Sequence, residues 1–519
     1  MLYFINFGMP DHKSGIEHAE LKRLKLFEQH DYPCKIIARD WNANLHTTAN
    51  AAGVDDDHLL GMFDYYQHAE HVAARHLTIS DLDFGLQNLV TTDESAHHRY
   101  IVKRQNGAMV ARVNYDPDHD RQLLSTEMFD GFGNLYCVNI YDQRGFKSLI
   151  QWYSPDNKID NEEWVTPEGQ TVIRTYYKPG ADGKLTKTGW WLSDHQGVVH
   201  QFATMDQLFE YFLNDINGAG GNIFVLDRSL LADDALTRLK KPAYTVMHLH
   251  NSQAGDAQDP LHSILNNNYE FALNNINNYS AIVSATQRQT DDVIARFHPT
   301  AKTFTVPVGI VPDETIKAPR ISEKKRTFGK VVAVARVAPE KRLDHLVRAI
   351  NIVRQQVPQV TLDIYGYFDP TNNYAAKRKV EELTKKFGLE GVVKLKGYTN
   401  DVASVYNDAQ IFGLTSIMEG FDLAIMEAIS HGAVGVTYDV NYGPNDIIQD
   451  GKNGYVVDFD DYHAIADRMI KLFKDPQLMQ QMSDGAYDSA SRYSTAAVWQ
   501  DWQALLSDAK QTLKGGGKR

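Results

Sequence analysis

The chain has 519 residues, with 53 Lys and Arg against 66 Asp and Glu and a net charge of −13. That is more length than one hydrophobic core organises, at roughly 100 to 200 residues per domain. A composition 43% apolar, 11% aromatic and 23% charged is globular and excludes disorder, and the acidic balance argues against nucleic acid as the principal partner, because neutralising phosphates takes a concentrated basic surface. Cys34 and Cys137 are the only cysteines, too few for a disulfide framework or a thiolate metal site, which fits a reducing cytoplasm. The opening MLYFINFGMPDHKSG lacks a basic n-region and reads as a strand and loop rather than a signal peptide. No window approaches the ~18 consecutive apolar residues that span a bilayer, so any membrane contact would be peripheral, at the inner face.

In chain order, a strand at 2–7 leads through Gly8 and Gly15 into a helix at 16–29 and a strand at 34–38. From about 45 to 203 the period changes to two, around Asn106-Gly107 and Pro179-Gly180, which predicts antiparallel hairpins inserted as a meander. The α/β pattern resumes with a helix at 205–217, strands at 222–227 and 243–248, a helix at 262–278, a strand at 281–284, a helix at 288–297 and a strand at 302–306. A polar, basic stretch at 314–329 reads as a linker. Beyond it, strands at 330–335, 361–365, 392–396, 410–414, 433–438 and 454–457 alternate with helical faces such as Leu343, Leu346, Val347, Ile350 and Val353, the pattern of a parallel, doubly wound sheet. The last residues, LKGGGKR, read as a flexible tail.

In open α/β sheets ligands sit beyond the carboxyl ends of the strands, so the residues following each strand are the first candidates. Arg336 and Lys341 follow the strand at 330–335 and are two cations suited to a diphosphate. Glu419-Gly420-Phe421-Asp422-Leu423 follows the strand at 410–414, and Glu427 lies one turn into the next helix. Both acids border the same cleft, where carboxylates accept hydrogen bonds from sugar hydroxyls. His248 ends the strand at 243–248 with His250 two residues on; no third ligand is evident at a recognisable spacing, so no metal site is assigned. Asp81-Leu82-Asp83 reads as a solvated turn rather than a metal-binding DxD motif.

Arg336-x4-Lys341 followed by Glu419-x7-Glu427 resembles the retaining GT-B glycosyltransferases of family 4. The match extends to the strand-end glycines Gly366 and Gly397, to Gly443 and Gly454, and to Ser14-Gly15-Ile16-Glu17 opening the first helix. The whole chain is similar to the bacterial accessory-secretion glycosyltransferases that O-glycosylate serine-rich repeat adhesins, through that opening, the long β-rich insertion and Leu226-Asp227-Arg228. Teichoic acid polyol-phosphate α-glycosyltransferases share this layout, and a non-catalytic GT-B-like subunit that binds acceptor is a further alternative.

The resemblance implies a GT-B architecture of two Rossmann-like domains. Residues 1–44 and 204–313 would form the acceptor-side domain, 45–203 the inserted antiparallel meander, 314–490 the nucleotide-sugar domain, and 491–519 a C-terminal helix and tail. It implies transfer of glucose or N-acetylglucosamine from a UDP-sugar to Ser/Thr hydroxyls of a serine-rich acceptor protein in the cytoplasm, with no cofactor beyond the donor substrate. Arg336, Lys341, Glu419 and His248 take the catalytic roles. Gly15, Lys396, Gly397, Phe421, Asp422, Leu423 and Glu427 take donor-binding ones. Partnering would be with a GT-B-like subunit or with itself through the insertion. One departure stands out: the family reads E-G-F-G, and Asp422 occupies the second glycine position, where a carboxylate beside a diphosphate is repulsive unless it turns to sugar hydroxyls.

Overall fold

A computed structural model describes residues 1–515; the end of the expected tail, 516–519, lies outside the described residues. The chain divides into two compact units, Met1–Thr245 and Val246 onward.

In the first unit, Leu2–Asn6 is a fully buried strand flanked in parallel by Cys34–Ala38 and Ile223–Leu226, with Leu59–Gly61 beyond Cys34–Ala38. The helix Gly15–Glu28 connects the first two strands, its start fixed by a capping box in which Ser14 and Glu17 satisfy each other's backbone amides. The expected meander is present as ten sequential antiparallel strands from Leu89–Glu94 to Val199–Phe202. At its Asn106-Gly107 turn, Gly107 has φ +86° and the Asn106 side chain accepts from Ala108 N at 3.1 Å. Asp81 caps a 3₁₀ turn through Thr78 and Asp83 accepts from Gly85 N at 2.8 Å, so the DxD is a turn, as expected.

The insertion begins later than residue 45. Helix Leu45–Ala51, strand Leu59–Gly61 and helix Met62–Gln67 continue the α/β layer. Leu59 and Leu60 pair in parallel with Ile36 and Ile37 and are buried, so this strand has no polar alternation to announce it. Phe63 packs on Trp164 at 4.8 Å between ring centroids, and Trp164 stacks on Trp190 at 5.5 Å, docking the meander on the short helix.

In the second unit, Tyr244–His248, which straddles the unit boundary, pairs in parallel with Ala281–Ser284, and that strand with Lys302–Thr305. A separate six-stranded parallel sheet runs in the order Val393–Gly397, Thr361–Tyr365, Lys330–Val334, Ile411–Leu414, Val434–Tyr438, Gly454–Val457. This is the 3-2-1-4-5-6 order of a doubly wound fold, whose switch point lies between Lys330–Val334 and Ile411–Leu414.

Two expectations are corrected here. The helix at 262–278 is only Glu270–Asn274 followed by a 3₁₀ turn at Ile276–Asn278. Its asparagines capture backbone groups instead: Asn266 donates to Ser252 O at 3.0 Å and Asn277 accepts from Thr300 N at 2.7 Å. The linker at 314–329 is built into the fold, since the buried Arg326 guanidinium donates to the carbonyls of Tyr406 and Ala409, both at 2.8 Å. Ala281–Ser284 and Lys302–Thr305 stand in one seven-stranded sheet order with Leu2–Asn6, while compactness groups Val246 onward with the following sheet. Val311 N donates to Tyr493 O at 2.8 Å, and Met426 and Phe421 occupy the space where Gly309 would carry a side chain. The C-terminal helix Thr495–Lys514 buries Trp502. No helix among the described residues is long and apolar enough to cross a membrane.

Candidate functional site

The loop after Lys330–Val334 carries Arg336, then a 3₁₀ turn at Pro339–Lys341 that leads into helix Leu343–Arg354. The loop after Ile411–Leu414 meets it at the switch point. Thr415 Oγ1 donates to the carbonyls of Lys341 and Arg342 at 3.1 and 2.9 Å, and Ile417 N donates to Glu340 O at 2.9 Å. Hydrogen bonds to the Glu340–Arg342 carbonyls thus hold the two charged segments together.

Lys341 pairs with Glu419 and stands 4.0 Å from Asp422. Burial acts to strip its proton, but Glu419 and Asp422 prevail and hold its ammonium above the ordinary lysine value. Asp422 sits at φ +67°, where glycine is the usual residue, and its side chain accepts from Ile425 N at 2.9 Å, capping helix Leu423–Ser430. Burial and the adjacent Glu419 push its carboxyl up to about 7, with Lys341 opposing. Arg336 is half-exposed, 2.9 Å from Asp369 and paired also with Glu340. Glu427 is on the same helix that Asp422 caps and faces Tyr406, whose hydroxyl is held well above its ordinary value by burial and by Glu427.

The turn itself is confined on both sides. A Cβ on Gly420 would lie 2.0 Å from the His250 carbonyl oxygen, which brings the segment following His248 against the Glu419–Asp422 turn. His248 is buried, its ring 4.2 Å from that of His250 and 6.2 Å from Trp502.

Other predicted residues lie differently. The Phe421 ring is core, edge-on to Tyr493 at 5.4 Å, so this residue has only its backbone to offer a donor. Leu423 opens the helix. Lys396 and Gly397 end their strand with Lys396 exposed, and among the described residues no hydrogen bond or ion pair joins Lys396 to the Lys341 cluster. Gly15, in the first unit, has no neighbour within 4 Å of a would-be Cβ and no positive φ, so nothing in the packing demands glycine there. Sequence reasoning missed Tyr442 and Gln253, whose chemistry is ordinary and whose spacing follows no motif. A cavity of about 1380 Å³ lined by Glu323, Arg326, Phe473 and Met479 lies elsewhere in this unit and holds none of the predicted residues.

The strand order, with an Arg, a Lys and paired acids at its switch point, is that of the doubly wound α/β folds whose ligands sit at this place, and the fold is that of the GT-B glycosyltransferases. Residues 314–489 match the family of glycosyl transferases group 1. Along its length the chain is similar to the UDP-N-acetylglucosamine–peptide N-acetylglucosaminyltransferase GtfA subunit of Streptococcus agalactiae, 23% identical with 98% of each chain covered. Among solved structures it is similar to a GtfA/B complex, 22% identical, covering 98% of this chain and 99% of that one with a TM-score of 0.77. It is equally similar in fold to a mutant of Staphylococcus aureus TarM solved with fondaparinux, α-GlcNAc-glycerol and UDP, at 19% identity, 97% and 99% coverage and a TM-score of 0.77.

Proposed function

We propose that this protein is a retaining glycosyltransferase that moves N-acetylglucosamine or glucose from a UDP-sugar to Ser/Thr hydroxyls of a serine-rich acceptor protein. The observation that carries this reading is the meeting of Lys341 with Glu419 and Asp422 at the switch point, with Arg336 on the adjoining loop. Departure of the nucleotide builds negative charge on the β-phosphate and oxocarbenium character on the sugar. Arg336 and Lys341 stabilise the first, an electrostatic contribution of about several kcal/mol in a preorganised site. Glu419 and the backbone of Gly420–Leu423 hold the sugar, Glu427 holds the ribose, and His248 lies beside the transferred group. Gly15 lets backbone approach the donor phosphate, and Lys396 and Gly397 border the nucleotide. No protein nucleophile is assigned; the acceptor attacks on the face the leaving group vacates. The two cations supply the charge stabilisation, and the reading invokes no metal.

The S. agalactiae relative is a peptide N-acetylglucosaminyltransferase subunit, which supports a protein acceptor, and the GtfA/B complex supports a second subunit as partner; in this reading the partner is GT-B-like and is met through the β-meander. The protein works in the cytoplasm, where nucleotide sugars are available, and any contact with the membrane is at its inner face. A second reading has its own support: the TarM structure holds α-GlcNAc-glycerol, which points to a polyol-phosphate polymer as acceptor. Mass spectrometry of a serine-rich polypeptide and a polyol-phosphate polymer, incubated side by side with the protein and UDP-sugars, separates them. Sugar on the polypeptide is the expected result; sugar on the polymer alone overturns the protein-acceptor reading.

A further inference from the structure

The Glu419–Asp422 turn is held by a loop that no motif marks. Glu419 N donates to Asn441 O at 3.2 Å and Tyr442 N donates to Glu419 O at 2.8 Å, so the loop and the turn bond reciprocally through the backbone. Gly443 follows at φ +103°, and a Cβ there would lie 2.0 Å from Phe421 O. On the other side Gly420 abuts the His250 carbonyl. The turn is therefore gripped between residues 441–443 and the segment after His248.

What locates the loop is a buried polar network. Tyr442 is fully buried; its hydroxyl donates to Asp292 Oδ2 at 2.7 Å and accepts from Gln253 Nε2 at 2.8 Å. Gln289 Nε2 donates to Gln253 Oε1 at 3.3 Å and to Asn251 O at 2.8 Å, while Asn441 Nδ2 donates to Ala257 O at 2.8 Å. Helix Gln287–Phe297, residues 251–257 and residues 441–443 are joined in one set of bonds. A phenylalanine would fill the same space without a hydroxyl to satisfy. Buried networks whose members all find partners specify one arrangement of the elements they join.

We propose that Tyr442 is a positioning residue: its hydroxyl, held by Gln253 and Asp292, sets the 441–443 loop and through it the sugar-facing backbone of Glu419–Asp422. This rests on the donor-site reading above and goes beyond it. In that reading Arg336, Lys341 and Glu427 hold the nucleotide and make none of the network's own hydrogen bonds, so the larger effect is expected at the sugar end.

The test measures UDP affinity by calorimetry, UDP-sugar turnover and thermal stability for wild type, Tyr442→Phe and Asp292→Asn. Tyr442→Phe is expected to lower kcat roughly ten-fold or more while UDP affinity stays within about two-fold, as a sub-ångström misplacement of a positioned group does. Asp292→Asn, which keeps an oxygen to accept from the hydroxyl, is expected to retain most of the turnover. Should Tyr442→Phe fail to fold, Gln253→Met reports on the same network, with the same loss expected. Turnover unchanged in an active, folded Tyr442→Phe overturns the inference alone, and so does a parallel loss of UDP affinity and stability. A wild type that binds no UDP and leaves UDP-sugars intact overturns the donor-site reading itself and the inference with it.

Discussion

Lys341 and Glu419, 78 residues apart in the chain, form an ion pair at the switch point of the six-stranded sheet. Each is the other's principal charge partner, and Asp422 adds a second carboxylate to the same ammonium. Lys341→Ala removes the group placed to meet the leaving diphosphate. We expect kcat for UDP-sugar turnover to fall about 10²- to 10³-fold, the range seen when one preorganised electrostatic group is lost. Steady-state turnover at saturating donor checks this, and an unchanged kcat removes Lys341 from the chemistry.

Asp422 governs how the site responds to pH. Two cations here face Glu340, Asp369, Glu419 and Asp422, so an ionised Asp422 adds repulsion against an incoming diphosphate. Its carboxyl is pushed up to about 7 by burial and Glu419, and it becomes neutral as pH falls through that value. UDP affinity should therefore strengthen from pH 8 to pH 6 beyond what the nucleotide's own titration produces. In Asp422→Asn that extra dependence should vanish; calorimetric titration across this range decides it, and identical profiles for the two proteins would refute it.

Glu20 is wholly buried on the first helix, with Asn6 donating to it at 2.9 Å, and burial with the nearby charge of Asp227 pushes its carboxyl up to about 8 from an ordinary 4.5. A raised carboxyl binds its proton more tightly in the folded state. Its contribution to stability is whole below about 4.5 and is lost as pH rises through about 8. Glu20→Gln should therefore lose less stability than wild type between pH 5 and pH 9. Denaturant midpoints at a series of pH values test the slope.

Trp164 is the joint between the meander and helix Met62–Gln67, touching Phe63 and Trp190. Trp164→Ala should cost about 3 to 5 kcal/mol, as emptying a large buried aromatic site does. Equilibrium unfolding measures it, and a loss under about 1 kcal/mol would show that the site collapses freely.

The expected architecture is the one observed wherever periodicity speaks. The alternating strands between 89 and 202, with Asn-Gly and Pro-Gly turns, read directly from the sequence as hairpins, because an antiparallel sheet with one wet face writes its period into the chain. The βα alternation from 330 onward was equally legible. What failed was local: Leu59–Gly61 is buried throughout and has no alternation, and the stretch at 262–278 had apolar spacing suited to a helix while its asparagines were bonding to backbone elsewhere.

The sequence by itself determined which residues follow which strand, and so placed Arg336, Lys341, Glu419 and Glu427 at candidate positions before any coordinates. Only the tertiary structure decided that Lys341 meets Glu419, that Phe421 turns its ring into the core, and that Tyr442, Gln253 and Asp292 share one hydroxyl. Strand periodicity is a property of neighbours along the chain. Hydrogen bonds between segments 150 to 189 residues apart depend on where the sheet order brings those segments, and no spacing in the sequence records it.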